Sequence, residues 1–247
     1  GGNADEGLPA GDYYLVETST VEHYELDETP IPFTINQDQT TVTTETAENN
    51  LTPGSARFQK VDSETGEGLA GAVFDVVYVS YGDEQYNETV TQVATAEDGN
   101  AEITDLRPGI YELREVTPPK GYEALSEPIE FEIVESQQDS FDIDEIANDV
   151  KTTNLVLTKE DSITQDRLSD AEFRLTYIEG GYTVPEKTAT TNTSGIITFE
   201  DLKPGTYELT EVTAPEGYIT TGDPITIGVT LDNVEAIDDM TLTVKNA

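Results

Sequence analysis

The sequence predicts an all-β protein built from tandem Greek-key β-sandwich modules that form a rod. Three observations predict this class: a long repeated pattern, short runs of alternating Val, Ile and Thr between Gly, Pro, Asp and Asn turns, and no stretch of convincing helical periodicity. A repeat of roughly 100 residues with about seven such strands is typical of a β-sandwich. The 247 residues suffice for two complete modules and part of a third.

The repeated pattern is Gly-x-Tyr-x-Leu-x-Glu, followed by a tyrosine and then by Pro-Ile. Its copies contain Gly11, Tyr13, Leu15, Glu17 and Tyr24; Gly109, Tyr111, Leu113, Glu115 and Tyr122; and Gly205, Tyr207, Leu209, Glu211 and Tyr218. The sequence upstream of the pattern repeats only twice, as "FQKVDSETGEGLAGAVFDV" and "LTKEDSITQDRLSDAEFRL". We therefore predict a truncated first module (1–51) that holds only a C-terminal half, a complete middle module (52–151) and a complete last module (152–247). Because the joints are short, a semi-rigid rod is expected.

Composition excludes several function classes. Acidic residues outnumber basic ones 51 to 12, a net charge of −39 that argues against nucleic acid and anionic membranes as partners. No apolar run is long enough to insert into a bilayer, and no cysteine is present for disulfides. With one histidine and no phosphate-binding or zinc motif, neither an enzyme acting on an external substrate nor a cofactor is expected. The acidic clusters "DSFDIDE" and "DNVEAIDD" lack EF-hand spacing, so we expect solvated loops and no metal.

Strand parity identifies an unusual set of core-facing polar residues. The strands predicted in the middle module are Arg57–Asp62, Ala72–Ser80, Ala101–Asp105, Ile110–Val116, Ile129–Val134 and Ile143–Val150. Side chains two positions apart share a face of a strand. Lys60 therefore shares a face with Phe58, and Glu115 shares one with Tyr111 and Leu113. Each complete module places one Lys, one Glu and one Asn towards its core, on three different strands.

Burial together in a core would make these three residue types reactive towards one another. Burial lowers the pKa of a lysine and raises that of a carboxyl group. A neutral amine is a nucleophile, and an asparagine amide is an electrophile with ammonia as leaving group. A protonated carboxyl group can hydrogen-bond the amide oxygen, polarise the amide carbon and move protons. The product is a Lys–Asn isopeptide bond, formed without an external enzyme because the scaffold holds both reactants together.

Three motifs carry a resemblance to a known family. "KVDSETGEGLAGAVF", "DLRPGIYELREVTPPKGY" and "DLKPGTYELTEVTAPEGY" resemble the Cna B-type (SpaA-type, prealbumin-like) domains of Gram-positive surface adhesins and pilins. The resemblance implies a prealbumin-like, immunoglobulin-like sandwich with an autocatalytic Lys–Asn bond promoted by the motif glutamate. Carried over by position, it implies the triads Lys60–Glu115–Asn148 and Lys159–Glu211–Asn246. The alternative for each lysine is an ordinary edge-strand residue with its amine in water, and Asp149 competes with Asn148 for its place.

The first module keeps only part of such a site. Glu17 matches the motif glutamate, and the spacing to the following lysine favours Asn49 over Asn50 as the asparagine. Its lysine-bearing strand is absent from the sequence, so this module is expected to close no intramolecular bond.

The function expected from this resemblance is a structural stalk or spacer of a cell-wall-anchored adhesin on a Gram-positive surface. Its partners would be neighbouring repeats, with sortase and peptidoglycan reached through flanking sequence, since the chain begins and ends mid-pattern and we expect a fragment. One alternative is a module that binds a host matrix protein or glycan through Tyr- and Gly-rich loops at Val79–Val93 and Tyr177–Lys187. Another is an accessory domain beside a hydrolase.

Overall fold

The computed structural model describes residues 8–21, 24–37, 44–135, 139–236 and 238–247. Within these ranges the chain is nearly all β, which confirms the predicted class. No helix in the described ranges is long and apolar enough to cross a membrane. In the first module, β1 (Gly11–Leu15) pairs antiparallel with β2 (Ile31–Ile35), and the Tyr13 and Phe33 rings stack with centroids 5.5 Å apart.

The middle module is a sandwich of two sheets. Its strands are β3 (Gly54–Asp62), β4 (Val73–Tyr81), β5 (Glu84–Ala94), β6 (Asn100–Leu106), β7 (Gly109–Thr117), β8 (Ile129–Ile133), β9 (Phe141–Asp142) and β10 (Ile146–Asn148). One sheet has the order β10-β3-β6, with β9 also paired to β3, and the other has the order β5-β4-β7-β8. Alternating side chains of both sheets, among them Phe58, Phe74 and Tyr111, fill the core between them.

The last module repeats this arrangement. Its strands are β11 (Thr153–Asp161), β12 (Glu172–Glu179), β13 (Lys187–Thr190), β14 (Ile196–Leu202), β15 (Gly205–Thr213), β16 (Ile225–Val229) and β17 (Met240–Asn246). The sheets have the orders β14-β11-β17 and β13-β12-β15-β16, and Leu157, Phe173 and Tyr207 lie in the core between them. The division of the chain at residues 51 and 151 stays a prediction.

In both complete modules the first and last strands are parallel neighbours. β3 pairs parallel with β10, and β11 pairs parallel with β17, although each pair is separated by almost a whole module of sequence. The motif strands, β7 and β15, lie in the facing sheet. This topology brings side chains from the two ends of a module to one place, opposite the motif glutamate.

Two predicted loops are partly or mostly strand, and the interpretation of Val79–Val93 as a loop was wrong. That segment is the end of β4 and nearly all of β5, joined by a tight turn at Gly82, whose φ is +58°. β5 is exposed along almost its full length and forms the sheet edge, so it lacks the alternation that reveals a strand. Of Tyr177–Lys187, only residues 180–186 connect strands, because β12 extends to Glu179 and β13 begins at Lys187.

The closing segment of the middle module and one connection of the last module also differ from expectation. Ile143–Val150 does not form one strand, since only Ile146–Asn148 pairs as β10 and Val150 makes an isolated bridge to Tyr122. The last module contains a short helix, α1 (Leu231–Glu235), that no sequence period indicated. Thr230 caps it by accepting a hydrogen bond from the Asn233 backbone, while the Asn233 side chain accepts one from Thr230 N.

Candidate cross-linking sites

The last module brings Lys159, Glu211 and Asn246 together. Lys159 continues the buried face of β11 that begins with Leu155 and Leu157, and its Cα lies opposite Val244 of β17. Asn246 lies two residues further along β17, on the same face as Val244. Glu211 extends the buried face of β15 after Tyr207 and Leu209, in the facing sheet. Regular strand alternation thus delivers all three polar groups to one point in the core.

The contacts join the amine, the amide and the carboxylate directly. Lys159 Nζ donates to Asn246 Oδ1, and it lies 3.2 Å from Glu211 Oε1. Asn246 Nδ2 donates to the same Glu211 Oε1 over 3.0 Å. Both the lysine and the glutamate side chains are fully shielded from solvent. The Glu211 carboxylate therefore lies between the lysine nitrogen that would attack and the amide nitrogen that would leave as ammonia. It contacts the nitrogen of the Asn246 amide, whereas the sequence interpretation expected a contact with the amide oxygen.

Burial favours the reactive form of the lysine. Desolvation lowers the pKa of Lys159, and this effect outweighs the opposing attraction of the Glu211 carboxylate. The amine also lies 5.6 Å from the centroid of the Phe173 ring. A buried lysine with a lowered pKa reaches the neutral, nucleophilic state more readily than a lysine in water.

The middle module gathers the equivalent residues in a different arrangement. Asn148 Nδ2 donates to both oxygens of Glu115, over 2.9 and 3.1 Å. Lys60 is fully buried, but its Nζ donates to the backbone oxygen of Ile146 over 2.9 Å. Asn148 Oδ1 is buried and has no hydrogen-bond partner among the described residues. The amine therefore lacks the direct contact with the amide that is present in the last module.

Burial also favours the neutral form of Lys60. Desolvation lowers the pKa of Lys60 to about 8, against the opposing effect of the Glu115 carboxylate.

Asp149, which the sequence left as an alternative to Asn148, is exposed and accepts a hydrogen bond from Ser63 Oγ over 2.6 Å. The core position thus belongs to Asn148.

The first module holds a glutamate–asparagine pair without a lysine. Asn49 Nδ2 donates to Glu17 Oε1 over 2.7 Å and lies 2.6 Å from Thr20 Oγ1. A groove of about 500 Å³, lined by Glu17 and Asn49 among others, lies open beside the pair. In the part of the chain that the structure describes, no lysine reaches this pair.

A backbone contact that the sequence interpretation missed is common to all three sites. The second oxygen of each glutamate accepts a hydrogen bond from the backbone amide ten residues later: Asp27 over 3.0 Å, Leu125 over 2.8 Å and Thr221 over 2.8 Å. The constant spacing from glutamate to Pro-Ile was the available signal, because it fixes the length of the returning loop. This amide holds the carboxylate in one orientation.

Comparison with known proteins gives the family. The SpaA prealbumin-like fold domain matches residues 2–50, 54–146 and 153–243. The chain belongs to this family. No curated protein matches it significantly.

Several solved structures resemble the chain. The Bacillus anthracis TIE protein is 26% identical with a TM-score of 0.53, over 97% of this chain and 42% of that one. A streptococcal ancillary pilin is 24% identical with a TM-score of 0.36, over 97% and 75%. The shaft pilin SpaA from Lactobacillus rhamnosus GG is 14% identical with a TM-score of 0.36, over 79% and 98%. The chain thus spans less than half of the TIE protein, and the family assignment rests on the domain match.

Proposed function

We propose that the chain is a structural stalk segment of a Gram-positive surface adhesin or pilin-like protein. Its two complete modules would each be locked by an intramolecular Lys–Asn isopeptide bond, Lys60–Asn148 and Lys159–Asn246. The observation that carries this proposal is the buried three-way contact of Lys159, Glu211 and Asn246. Membership in a pilin-type domain family supports the structural role.

The reaction balances within each triad. A proton passes from the lysine amine to the glutamate, which leaves a neutral amine and a protonated acid. The amine nitrogen attacks Asn Cγ, and the acid protonates the amide nitrogen. The bond from Cγ to that nitrogen breaks, ammonia leaves, and the carboxylate takes the extra proton from the new amide. One C–N bond forms and one breaks, and the glutamate ends in the protonated state from which it acted.

The position of the bonds suits a chain under tension. Load would enter a module at the start of its first strand and leave after its last strand. Because those strands are parallel neighbours, a bond near their C-terminal ends carries the load directly from one to the other. Everything between Lys159 and Asn246, a sequence separation of 87, then lies outside the loaded path.

Single-molecule pulling from the two ends of the chain tests this role. An unlocked last module would release the 87 positions between Lys159 and Asn246, an extension on the order of 300 Å. We expect the wild type to give no step of this size from either complete module. Glu211→Ala should give one such step, from the last module alone.

The matched control is Glu208→Ala, which removes a glutamate from the same strand, one position before Leu209, on the opposite face. This variant should extend no further than the wild type. Two long steps in the wild type would rule out locked modules and with them the proposed load-bearing role.

Location and partners follow from the same proposal. The segment would act on the outer surface of a Gram-positive cell, beside neighbouring repeats, with attachment to the wall made by sortase through flanking sequence. Recognition of a host matrix protein or glycan stays a prediction. Of its two candidate loops, Val79–Val93 is mostly strand, and only residues 180–186 of Tyr177–Lys187 connect strands.

A further inference from the structure

The Asn148-bearing strand of the middle module is weakly held by its own sheet. β10 is three residues long, whereas β17 in the last module is seven residues long and pairs with β11 up to Asn246. The Asn148 site also lacks the direct lysine–amide contact of the last module. Contacts beyond this short ladder therefore help to hold β10 against β3.

One such contact comes from Tyr182 of the last module. Tyr182 Oη donates to Asp62 Oδ2 over 2.7 Å, and Tyr122 Oη of the middle module donates to the same oxygen over 3.0 Å. Asp62 is 1% exposed, follows Lys60 by two residues on β3, and its Cα lies opposite Asn148. The next amide, Ser63 N, donates to the Asn148 backbone oxygen over 3.1 Å. Tyr182 thus fixes the part of β3 that pairs with Asn148.

A second contact comes from Glu235 at the end of α1. Glu235 Oε1 accepts from Gly121 N over 2.8 Å and from Lys151 Nζ over 2.9 Å. Lys151 N in turn donates to the Gly121 oxygen over 2.8 Å. Glu235 therefore reinforces the backbone tie between the segment that follows Asn148 and the loop that follows the Glu115 strand.

The junction is closely fitted around these two side chains. Gly121 has φ +86°, and a Cβ there would lie 2.6 Å from Leu231 of α1. Lys203 of the last module pairs with Glu64 of the middle module and lies 5.4 Å from the Tyr182 ring centroid. The equivalent carboxylate in the last module, Asp161, accepts a tyrosine hydroxyl only from its own module, from Tyr218 over 2.7 Å, within the described residues. The last module's site, with its longer β17, has no such external support there.

We propose that Tyr182 and Glu235 of the last module are positioning residues for bond formation in the middle module. They complete the middle-module site when the last module is docked against it. This inference rests on the proposed cross-links. It makes the two reactions unequal: the last module reacts on its own contacts, whereas the middle module reacts at its full rate only when the last module is docked.

The test is a time course of cross-linking in the full chain. Wild type, Tyr182→Phe, Glu235→Gln and the double variant are made by cell-free translation, quenched at intervals and digested. The cross-linked peptides of each module are then quantified by mass. We expect the double variant to slow the middle-module reaction at least about fivefold, with the last-module rate unchanged. Because Tyr182 and Glu235 lie in the last module and its bond requires a folded module, that bond also verifies that the substituted module folds.

Tyr86→Phe and Glu216→Gln are matched controls, because both side chains are exposed and away from the junction contacts. They should leave both rates at the wild-type value. Equal rates in the double variant and the wild type would overturn the positioning role alone. Absence of both bonds from the wild type would overturn this inference together with the proposed cross-links.

Discussion

Removal of Glu211 separates the contribution of the cross-link from that of ordinary contacts. Glu211→Ala should prevent the Lys159–Asn246 bond and also leave Thr221 N without its acceptor. A covalent link closing a loop of 87 residues stabilises by about 4–5 kcal/mol in the chain-entropy treatment used for disulfides. The unpaired amide costs about 1–3 kcal/mol more.

The assay is thermal unfolding followed by calorimetry, in which each complete module gives its own transition. For a domain of this size, 4–5 kcal/mol corresponds to a fall in Tm of roughly 20–30 °C. The same substitution in a Lys159→Met background, where no bond can form, should cost only the contact term of about 1–3 kcal/mol. The difference between the two backgrounds measures the bond together with the cost of leaving the buried Lys159 amine without its Glu211 partner. If Glu211→Ala costs the same free energy in both backgrounds, the cross-link contributes nothing and the reasoning is refuted.

Four further predictions concern the two sites and their surroundings. Glu115→Ala should prevent the middle-module bond, so that this module keeps the ammonia that the wild type loses. Glu112→Ala, on the opposite face of the same strand, should still lose that ammonia, and its mass should differ from the wild type only by the substituted side chain. In a time course, the last module should complete its bond before the middle module, because only Lys159 contacts its amide directly; simultaneous completion would contradict this. The reaction in the middle module requires one proton on the Lys60–Glu115 pair, and the pKa of Lys60 is lowered to about 8. Above pH 8 the pair loses this proton, so the rate of bond formation should fall about tenfold per pH unit. A rate that climbs through pH 9 would show that the acid form is not needed. Tyr207→Phe removes the hydrogen bond to the Lys203 oxygen and should destabilise the last module by about 1 kcal/mol in denaturant titration, with its cross-link intact.

The alternation of side chains along the strands made the lysine and glutamate of each site predictable. Lys60, Lys159, Glu115 and Glu211 were placed from strand alternation alone, because each continues a run of apolar residues at every second position. Strand alternation is a local property of the backbone, so it can be read without knowledge of the fold. The repeat then predicted which three strands belong to one module.

The features that escaped prediction depend on distant parts of the chain. β5 is an exposed edge strand, and its polar residues show no alternation. The hydrogen bonds of Tyr182 and Glu235 cross from one module to the next, between positions that no repeat relates. The amides of Leu125 and Thr221 reach the glutamates through the returning loop, and a backbone group leaves no mark of its role on the residue type.

The most direct test of the cross-linked stalk is the intact mass of the folded wild-type chain, followed by peptide mapping. The cross-linked chain should have a mass lower than that of the sequence by two ammonia molecules, with the losses located in peptides that join Lys60 to Asn148 and Lys159 to Asn246. A folded chain with the full sequence mass would contradict this prediction.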